Sequence, residues 1–232
     1  MRRIFTDRSD AGRELAAAME RFRDVPGLIV LGLPRGGIPV AYEVARSLDA
    51  ALDVFVVRKL GVPGHEELAM GAIASGGVCV INEDVTRYLR IGPQVMDGVA
   101  QREEEELRRR ESMYRGERPF PEMSGRTVIV VDDGLATGST LIAAARWAAA
   151  GAAQTVAAVP VAARQSIGQV LDEVDLLFCP HVRDDLYAVG VWYADFAQLS
   201  DADVLRLLEE AAVGRAARVA AARPSSLSRG RR

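Results

Sequence analysis

Residues 128–140 read Val128-Ile129-Val130-Val131-Asp132-Asp133-Gly134-Leu135-Ala136-Thr137-Gly138-Ser139-Thr140. Four apolar, β-branched residues predict a strand that is buried on both faces, as in a parallel sheet covered by helices. Two carboxylates end this strand, and a loop rich in glycine, serine and threonine leads into an alanine-rich helix. Since the first N–H groups of a helix are unpaired and carry the positive end of its dipole, this junction predicts an anion-binding loop.

Individual side chains refine that prediction. Gly138 allows close approach of the backbone, and the hydroxyl-bearing residues around it add donors without bulk. Asp132 and Asp133 would repel a phosphate placed directly on them, but they suit ribose hydroxyls, which donate hydrogen bonds to an ionised acceptor. The stretch has neither the G-K-[ST] of a Walker loop nor the G-x-G-x-x-G of a dinucleotide site.

Outward from this stretch, strand and helix patterns alternate, which predicts an α/β fold with a mostly parallel, twisted sheet flanked by helices. The predicted strands are residues 28–33, 53–59, 126–131, 154–161 and 174–179, with a hairpin over 71–74 and 78–81. The predicted helices are residues 10–22, 38–47, 93–115, 139–150, 164–172 and 200–211.

The 128–140 stretch closely resembles the phosphoribosyl-pyrophosphate (PRPP) signature of the type I phosphoribosyltransferases. The order of strands and helices also resembles that family, and this resemblance extends as far as about Ala212. The resemblance implies one such domain over residues 1–213, with a flexible flap at about 60–70 and a small hood at about 180–213. It also implies that Asp132 and Asp133 hold the ribose 2′- and 3′-hydroxyls and act in catalysis. The loop that binds the rest of PRPP is then Gly134, Leu135, Ala136, Thr137, Gly138, Ser139 and Thr140.

Two further segments match the family. Leu33-Pro34-Arg35-Gly36-Gly37 follows the first core strand, where the family has a pyrophosphate-binding loop. We expect Arg35, Gly36 and Gly37 to bind PRPP, with a non-proline cis peptide at Arg35–Gly36; a plain glycine turn is the alternative. Arg58 and Lys59 end the second strand, as does the family's basic pair that meets pyrophosphate, although Lys59 could be an ordinary strand-end lysine.

Residues 186–196 resemble the family's hood, where an aromatic side chain stacks on the base. Tyr187 fits the stacking residue, and Ala188 and Val189 could supply backbone contacts to the base. Trp192, Tyr193 and Phe196 fit a small core better than a ligand site.

The resemblance implies a Mg²⁺-dependent enzyme that transfers the 5-phosphoribosyl group from PRPP to a nucleobase-like acceptor and releases pyrophosphate. Mg²⁺ would be held chiefly by ligand oxygens, with Asp132 and Asp133 acting indirectly or through the ribose. Ala136 stands where members acting on 6-oxopurines carry an acid, so the acceptor is not assigned. The alternatives are a PRPP-sensing regulator without transfer activity and a domain that serves in assembly.

Composition limits the other partners. The chain has 232 residues, of which 49% are hydrophobic and 26% charged, and a net charge of −3. Six arginines and no acid lie in residues 214–232, which predicts a disordered basic tail. The first 213 residues then have a net charge of −9. We therefore expect no contact with nucleic acid except through this tail.

The same composition bears on location and assembly. The sequence has no unbroken apolar run of about 18 residues and no apolar leader after the N-terminus, so we expect no membrane contact. Cys79 and Cys179 have no metal-ligand spacing, and we expect buried free thiols in the cytoplasm. The resemblance also implies a homodimer.

Overall fold

The computed structural model describes residues 4–222, apart from the side chains of Glu67 and Val78. Strands and helices alternate along most of this length. The strands are β1 (Ile29–Gly32), β2 (Ala51–Val54), β3 (Val57–Val62), β4 (His65–Ala74), β5 (Val78–Ile81), β6 (Thr127–Val131), β7 (Gln154–Ala158), β8 (Val161–Ala163), β9 (Leu176–Phe178) and β10 (His181–Arg183). The helices are α1 (Arg8–Ala18), α2 (Gly37–Leu48), α3 (Glu83–Tyr88), α4 (Pro93–Arg115), α5 (Ser139–Ala149), α6 (Arg164–Leu171) and α7 (Asp201–Ala222).

The main sheet has five parallel strands in the order β2-β1-β6-β7-β9. Successive side chains of a strand point to opposite faces. Ile129 and Val131 of β6 accordingly pack in the core beneath α1 and α2, whereas Val128 and Val130 pack on the opposite side with α5. Both faces are covered, which explains why β6 is apolar throughout, and the predicted α/β fold class is confirmed.

A second sheet, β3-β4-β5, is antiparallel and contains the predicted pairing of residues 71–74 with 78–81. Residues 60–70, where we expect the flexible flap, form most of the β3–β4 hairpin. Leu60 and Met70 are fully buried in a third core shared with α4 and α7. Their burial anchors both ends of the hairpin in this core, and its role as a flexible flap stays a prediction.

Two predicted strands are each divided. The 53–59 run splits into β2 and β3 because the chain leaves the main sheet after Val54, where the Ser75 hydroxyl accepts a hydrogen bond from the Val56 amide (3.0 Å). The 154–161 run splits into β7 and β8 around Pro160, which has no N–H for a strand ladder. An apolar run alone does not reveal where a chain changes sheets.

The C-terminal helix is longer than predicted. We expected it to end near residue 211 and a disordered tail to begin at residue 214, but α7 continues to Ala222. Alanine is the best helix former. The extension flanks an apolar groove beside Leu52, and its Arg218 pairs with Asp49 (2.6 Å). The remaining four arginines of the predicted tail lie outside the described residues.

The hood segment begins with β10, which pairs with β8, and continues through a short 3₁₀ turn at Val189–Trp192. Trp192 and Tyr193 are buried in a small core with Phe5, and Phe196 packs against it, as predicted. Both cysteines are free, but neither is fully buried as predicted, since Cys79 is exposed and Cys179 is half-buried. None of the helices within residues 4–222 combines the length and apolarity needed to cross a bilayer.

Candidate active site

The site is organised by β6, the middle strand of the main sheet. Asp132 and Asp133 follow its last residue, and the amide of Asp133 donates to Asp132 Oδ1 (2.9 Å). The amide of Asp132 donates to the carbonyl of Ala158 on β7 (3.3 Å), so the first residue of the turn is still hydrogen-bonded to the sheet. The two carboxylates therefore lie at the carboxyl edge of a parallel sheet, where α/β proteins bind ligands.

Two hydrogen bonds from other elements fix Asp133. The Arg8 side chain, at the start of α1, donates through Nε to Asp133 Oδ2 (2.9 Å), and both side chains are largely buried. The Tyr193 hydroxyl of the hood donates to the Asp133 carbonyl (2.5 Å). The second acid of the pair is thus held at its side chain and at its backbone.

Burial dominates the electrostatics of the pair. It holds the pKa of Asp132 well above its ordinary value, and the adjacent Asp133 charge raises that pKa further. Burial also raises the pKa of Asp133, while the hydrogen bond and charge of Arg8 oppose the shift. A hydrogen-bond donor or a positive charge nearby would stabilise the ionised form of both carboxylates. Sugar hydroxyls supply such donors, and a cation supplies such a charge.

The loop after Asp133 is anchored to β8. The Leu135 amide donates to the Val161 carbonyl (2.9 Å), and the Leu135 carbonyl accepts from the Ala163 amide (2.8 Å). The Leu135 side chain is buried, so only its backbone could face a ligand. The Ser166 hydroxyl donates to the carbonyl of Ala136. These bonds hold residues 135–136 in place ahead of the helix.

Gly138 then takes a left-handed conformation (φ 81°) and precedes α5. This conformation is costly for residues with a Cβ, which accounts for the glycine at this position. Gly138 is the N-cap residue of α5 and has no side chain that could cap the first turn. Thr137, Ser139 and Thr140 are all exposed. The turn therefore offers amide and hydroxyl donors to an anion.

The loop after β1 packs directly against these carboxylates. A Cβ placed on Gly36 would lie 2.0 Å from Asp133 Oδ2, and one on Gly37 would lie 2.7 Å from the Val131 carbonyl oxygen. Both glycines are needed because the two loops leave neighbouring strands at the same level, with Gly32 paired to Val131. Arg35 is partly exposed beside them.

The non-proline cis peptide of this loop joins Pro34 and Arg35, one bond earlier than predicted. Gly36 is the N-cap residue of α2 and already has helical backbone angles (φ −62°, ψ −39°). The Gly37 amide donates to the Leu33 carbonyl (2.9 Å), and the Ile38 amide to the Arg35 carbonyl (3.3 Å).

The predicted basic pair on β3 is divided between two faces, since neighbouring side chains of a strand point in opposite directions. Arg58 donates through Nε and Nη2 to Glu103 Oε2 on α4 (2.8 and 2.7 Å). Lys59 is exposed. Arg58 is thus engaged by a carboxylate, whereas the sequence suggested a residue facing pyrophosphate.

The hood closes the site from the other side. Val189 packs so tightly on the acidic turn that a Cβ on Gly134 would lie 2.5 Å from Val189 Cγ1. Ala188 is extended, and Tyr187 is 73% exposed. An exposed aromatic side chain thus adjoins a segment in contact with Gly134.

The sequence did not predict three contacts at this site: those of Arg8 and Tyr193 with Asp133, and that of Ser166 with Ala136. Arg8 is 125 residues away from Asp133 in the sequence. Nothing local distinguishes it from the chain's other arginines, and Tyr193 was assigned only to a core. The hydroxyl of Ser166 caps no helix and follows no motif, so only the fold reveals its partner.

The residues at this site could supply only a few of the ligands of a Mg²⁺ ion. Within residues 4–222, His, Cys, Asp and Glu side chains form no group of three or more that could hold a metal ion. Asp132 and Asp133 supply two carboxylates whose burial favours a nearby cation. Because Mg²⁺ takes six oxygen ligands, most of them would have to come from a bound ligand and water.

The fold and this edge of the sheet define an α/β protein in which an acidic pair precedes a loop rich in glycine and hydroxyl side chains at the start of a helix. Residues 10–191 match the family model of the phosphoribosyl transferase domain. Over 212 residues, the chain is 44% identical to "Putative phosphoribosyl transferase Rv0571c" of Mycobacterium tuberculosis, covering 90% of this chain and 47% of that protein. The crystal structure of TT1426 from Thermus thermophilus is 40% identical, with a TM-score of 0.77, over 90% of this chain and 99% of that one.

The chain therefore belongs to the phosphoribosyl transferase domain family. It spans about half the length of the M. tuberculosis relative that it matches.

Proposed function

We propose that this protein transfers the 5-phosphoribosyl group from PRPP to a nucleobase-like acceptor, with release of pyrophosphate and dependence on Mg²⁺. The observation that carries the proposal is the meeting of three segments at one sheet edge. Gly36 abuts the carboxylate of Asp133, and Val189 abuts Gly134, beside the uncapped start of α5. The family supports the class of reaction.

In this proposal, the amides and hydroxyls of residues 137–140 bind the 5′-phosphate. Asp132 and Asp133 accept hydrogen bonds from the ribose hydroxyls and set the orientation of the sugar. Holding the sugar in this way exposes C1 to the acceptor, and positioning of this kind supplies much of the rate enhancement in displacement reactions.

Pyrophosphate leaves from C1 as positive charge develops on the sugar ring. Arg35, the backbone of Gly36–Gly37 and Lys59 would stabilise the departing charge electrostatically. Mg²⁺, when bound, supplies further charge neutralisation on the pyrophosphate oxygens. Arg58 could join only if its ion pair with Glu103 opened, so we assign it a secondary role.

Tyr187 would stack on the acceptor, with Ala188 and Val189 offering backbone groups. Ala136 cannot donate or accept a side-chain proton, so the acceptor must react without an acid at that position. We leave the acceptor at the level of a nucleobase-like ring. A cytoplasmic location and a homodimeric state belong to the same proposal through the family resemblance.

The direct test is turnover of PRPP with Mg²⁺ across a panel of nucleobases, monitored by pyrophosphate release. We expect one class of base to be consumed, and we expect Asp132→Asn to abolish this consumption. A chain that binds PRPP but consumes no base, and exchanges no labelled pyrophosphate with PRPP, would refute transfer.

That outcome would favour a second candidate, a PRPP-sensing regulator. The observation in its favour is that Arg58, one of the two basic residues expected to meet pyrophosphate, is engaged by Glu103. A sensor needs only affinity for PRPP, whereas transfer also needs stabilisation of the leaving group.

A further inference from the structure

Arg8 lies where three parts of the protein meet. It is the first residue of α1, preceded by Asp7, whose side chain accepts from the Asp10 amide and caps the helix. The segment just before it pairs with the hood: the Phe5 amide donates to the Trp192 carbonyl (3.1 Å), and the Asp195 amide donates to the Thr6 carbonyl (2.8 Å). The backbone of Arg8 is therefore fixed by both a helix cap and this pairing.

The guanidinium group is engaged on three sides. Its Nε donates to Asp133 Oδ2 (2.9 Å), and its Nη1 donates to the carbonyl of Ala197 (3.0 Å). Its Cζ lies 3.7 Å from the centre of the Phe196 ring, close enough for a cation–π contact. Only 11% of the side chain is exposed.

These contacts restrict the carboxylate of Asp133. Arg8 occupies Oδ2, Gly36 leaves no room for the carboxylate to swing toward the β1 loop, and Tyr193 holds the backbone carbonyl. Since Arg8 engages Oδ2, Oδ1 would be the oxygen that receives a hydroxyl. A carboxylate fixed before binding loses less conformational freedom when the ligand arrives.

We propose that Arg8 is a positioning residue that orients Asp133 toward the sugar of the bound donor and couples that carboxylate to the hood. The proposal rests on the proposed function, since it assumes that Asp133 contacts the ribose. It assigns Arg8 no contact with the substrate. Its effect on binding must therefore pass through Asp133.

A merely structural role makes a different prediction. If Arg8 only anchored the hood through Phe196 and Ala197, its loss would weaken ligand binding by the same factor whether or not residue 133 carried a charge. A double-mutant cycle separates the two roles, because coupling appears only between residues that act together.

The experiment measures the Kd of PRPP with Mg²⁺ by calorimetry for the full chain, Arg8→Gln, Asp133→Asn and the double variant. We expect Arg8→Gln to raise the Kd about tenfold, within the range of one lost charged hydrogen bond. In the Asp133→Asn background, the same change should alter the Kd less than about twofold, because the group that it positions has lost its charge.

Two variants keep the test interpretable. Arg8→Lys preserves the charge and, as the more conservative change, should recover part of the affinity; it also serves if Arg8→Gln does not fold. Arg13→Gln is the matched control on α1, where an exposed arginine pairs with Asp10 and Glu43 away from the acidic turn, and should leave the Kd unchanged.

An equal loss of affinity from Arg8→Gln in both backgrounds would overturn the positioning role, as would no loss in either. If Asp133→Asn alone left PRPP binding intact, or the unmodified chain did not bind PRPP, the proposed function would fail together with this inference. Weakened binding in Asp133→Asn with no coupling to Arg8 would leave the proposed function standing and refute the inference alone.

Discussion

Replacing Gly36 by alanine tests how tightly the β1 loop packs against the acidic turn. The new Cβ would lie 2.0 Å from Oδ2 and 2.7 Å from Cγ of Asp133, whereas ordinary contact begins at 3.4 Å. The carboxylate must therefore retreat by about 1.4 Å. Because the backbone of Asp133 is tied to Tyr193, the side chain has to rotate, and it then loses its bond to Arg8.

The expected losses follow from that rotation. Loss of one charged hydrogen bond between largely buried groups costs about 2 kcal/mol, or roughly 4–8 °C in Tm for a chain of this length. A displacement of more than 1 Å in a positioned group can cost about 100-fold in rate. We therefore expect kcat/KM for PRPP to fall about 100-fold while the protein still folds.

Thermal unfolding and steady-state kinetics on the same preparations would test this expectation. Gly98→Ala is the matched control, because it lies within α4 and its added Cβ meets no atom within 4 Å; it should leave activity unchanged. A wild-type kcat/KM and Tm in Gly36→Ala would refute the reasoning, since Asp133 would then have room that the structure denies it.

Four further predictions concern other parts of the protein. Asparagine at both Asp132 and Asp133 should weaken PRPP binding at least about 100-fold without unfolding the chain, since two charged hydrogen bonds are lost; unchanged affinity in a calorimetric titration would remove their role. Glu103→Gln should release Arg58 and tighten inhibition by pyrophosphate several-fold, whereas Glu104→Gln, which frees only the exposed Arg108, should not; equal inhibition constants would exclude Arg58 from the site. Tyr187→Ala should raise KM for the acceptor and leave KM for PRPP unchanged, with stability within about 0.5 kcal/mol because the side chain is exposed; an equal rise in both constants would contradict the assigned stacking. A chain ending at residue 213 should have a lower Tm than one ending at 222, because it lacks the α7 extension that lies beside Leu52 and pairs with Asp49; equal Tm values in calorimetry would show that the extension adds no stability.

Local patterns predicted much of this fold. The helix placed at residues 93–115 from its first-turn proline and glutamate–arginine spacing is α4 (Pro93–Arg115). The apolar run before Asp132 is the middle of the main sheet. In both cases, the residues that encode the element are the residues that form it, so the periodicity is sufficient.

What the sequence did not predict depends on contacts between distant segments. Arg58 meets Glu103 from 45 residues away, and Arg8 meets Asp133 from 125. Each arginine looks like any other in a chain whose basic residues are almost all arginine. The switch of sheets after Val54 and the start of the 3₁₀ turn in the hood likewise depend on which surfaces are covered, a property of the whole fold.

The precision of the candidate site comes from the sheet rather than from the loops that form it. Gly32 of β1 is in register with Val131 of β6, so the loops that follow leave the sheet side by side. That register brings Gly36 against Asp133, and a shift of one residue would turn the strand's side chains to the opposite face. An inserted residue within β1 should therefore damage the site more than one at the exposed tip of the β3–β4 hairpin, because only the former displaces Gly36 relative to the acidic pair.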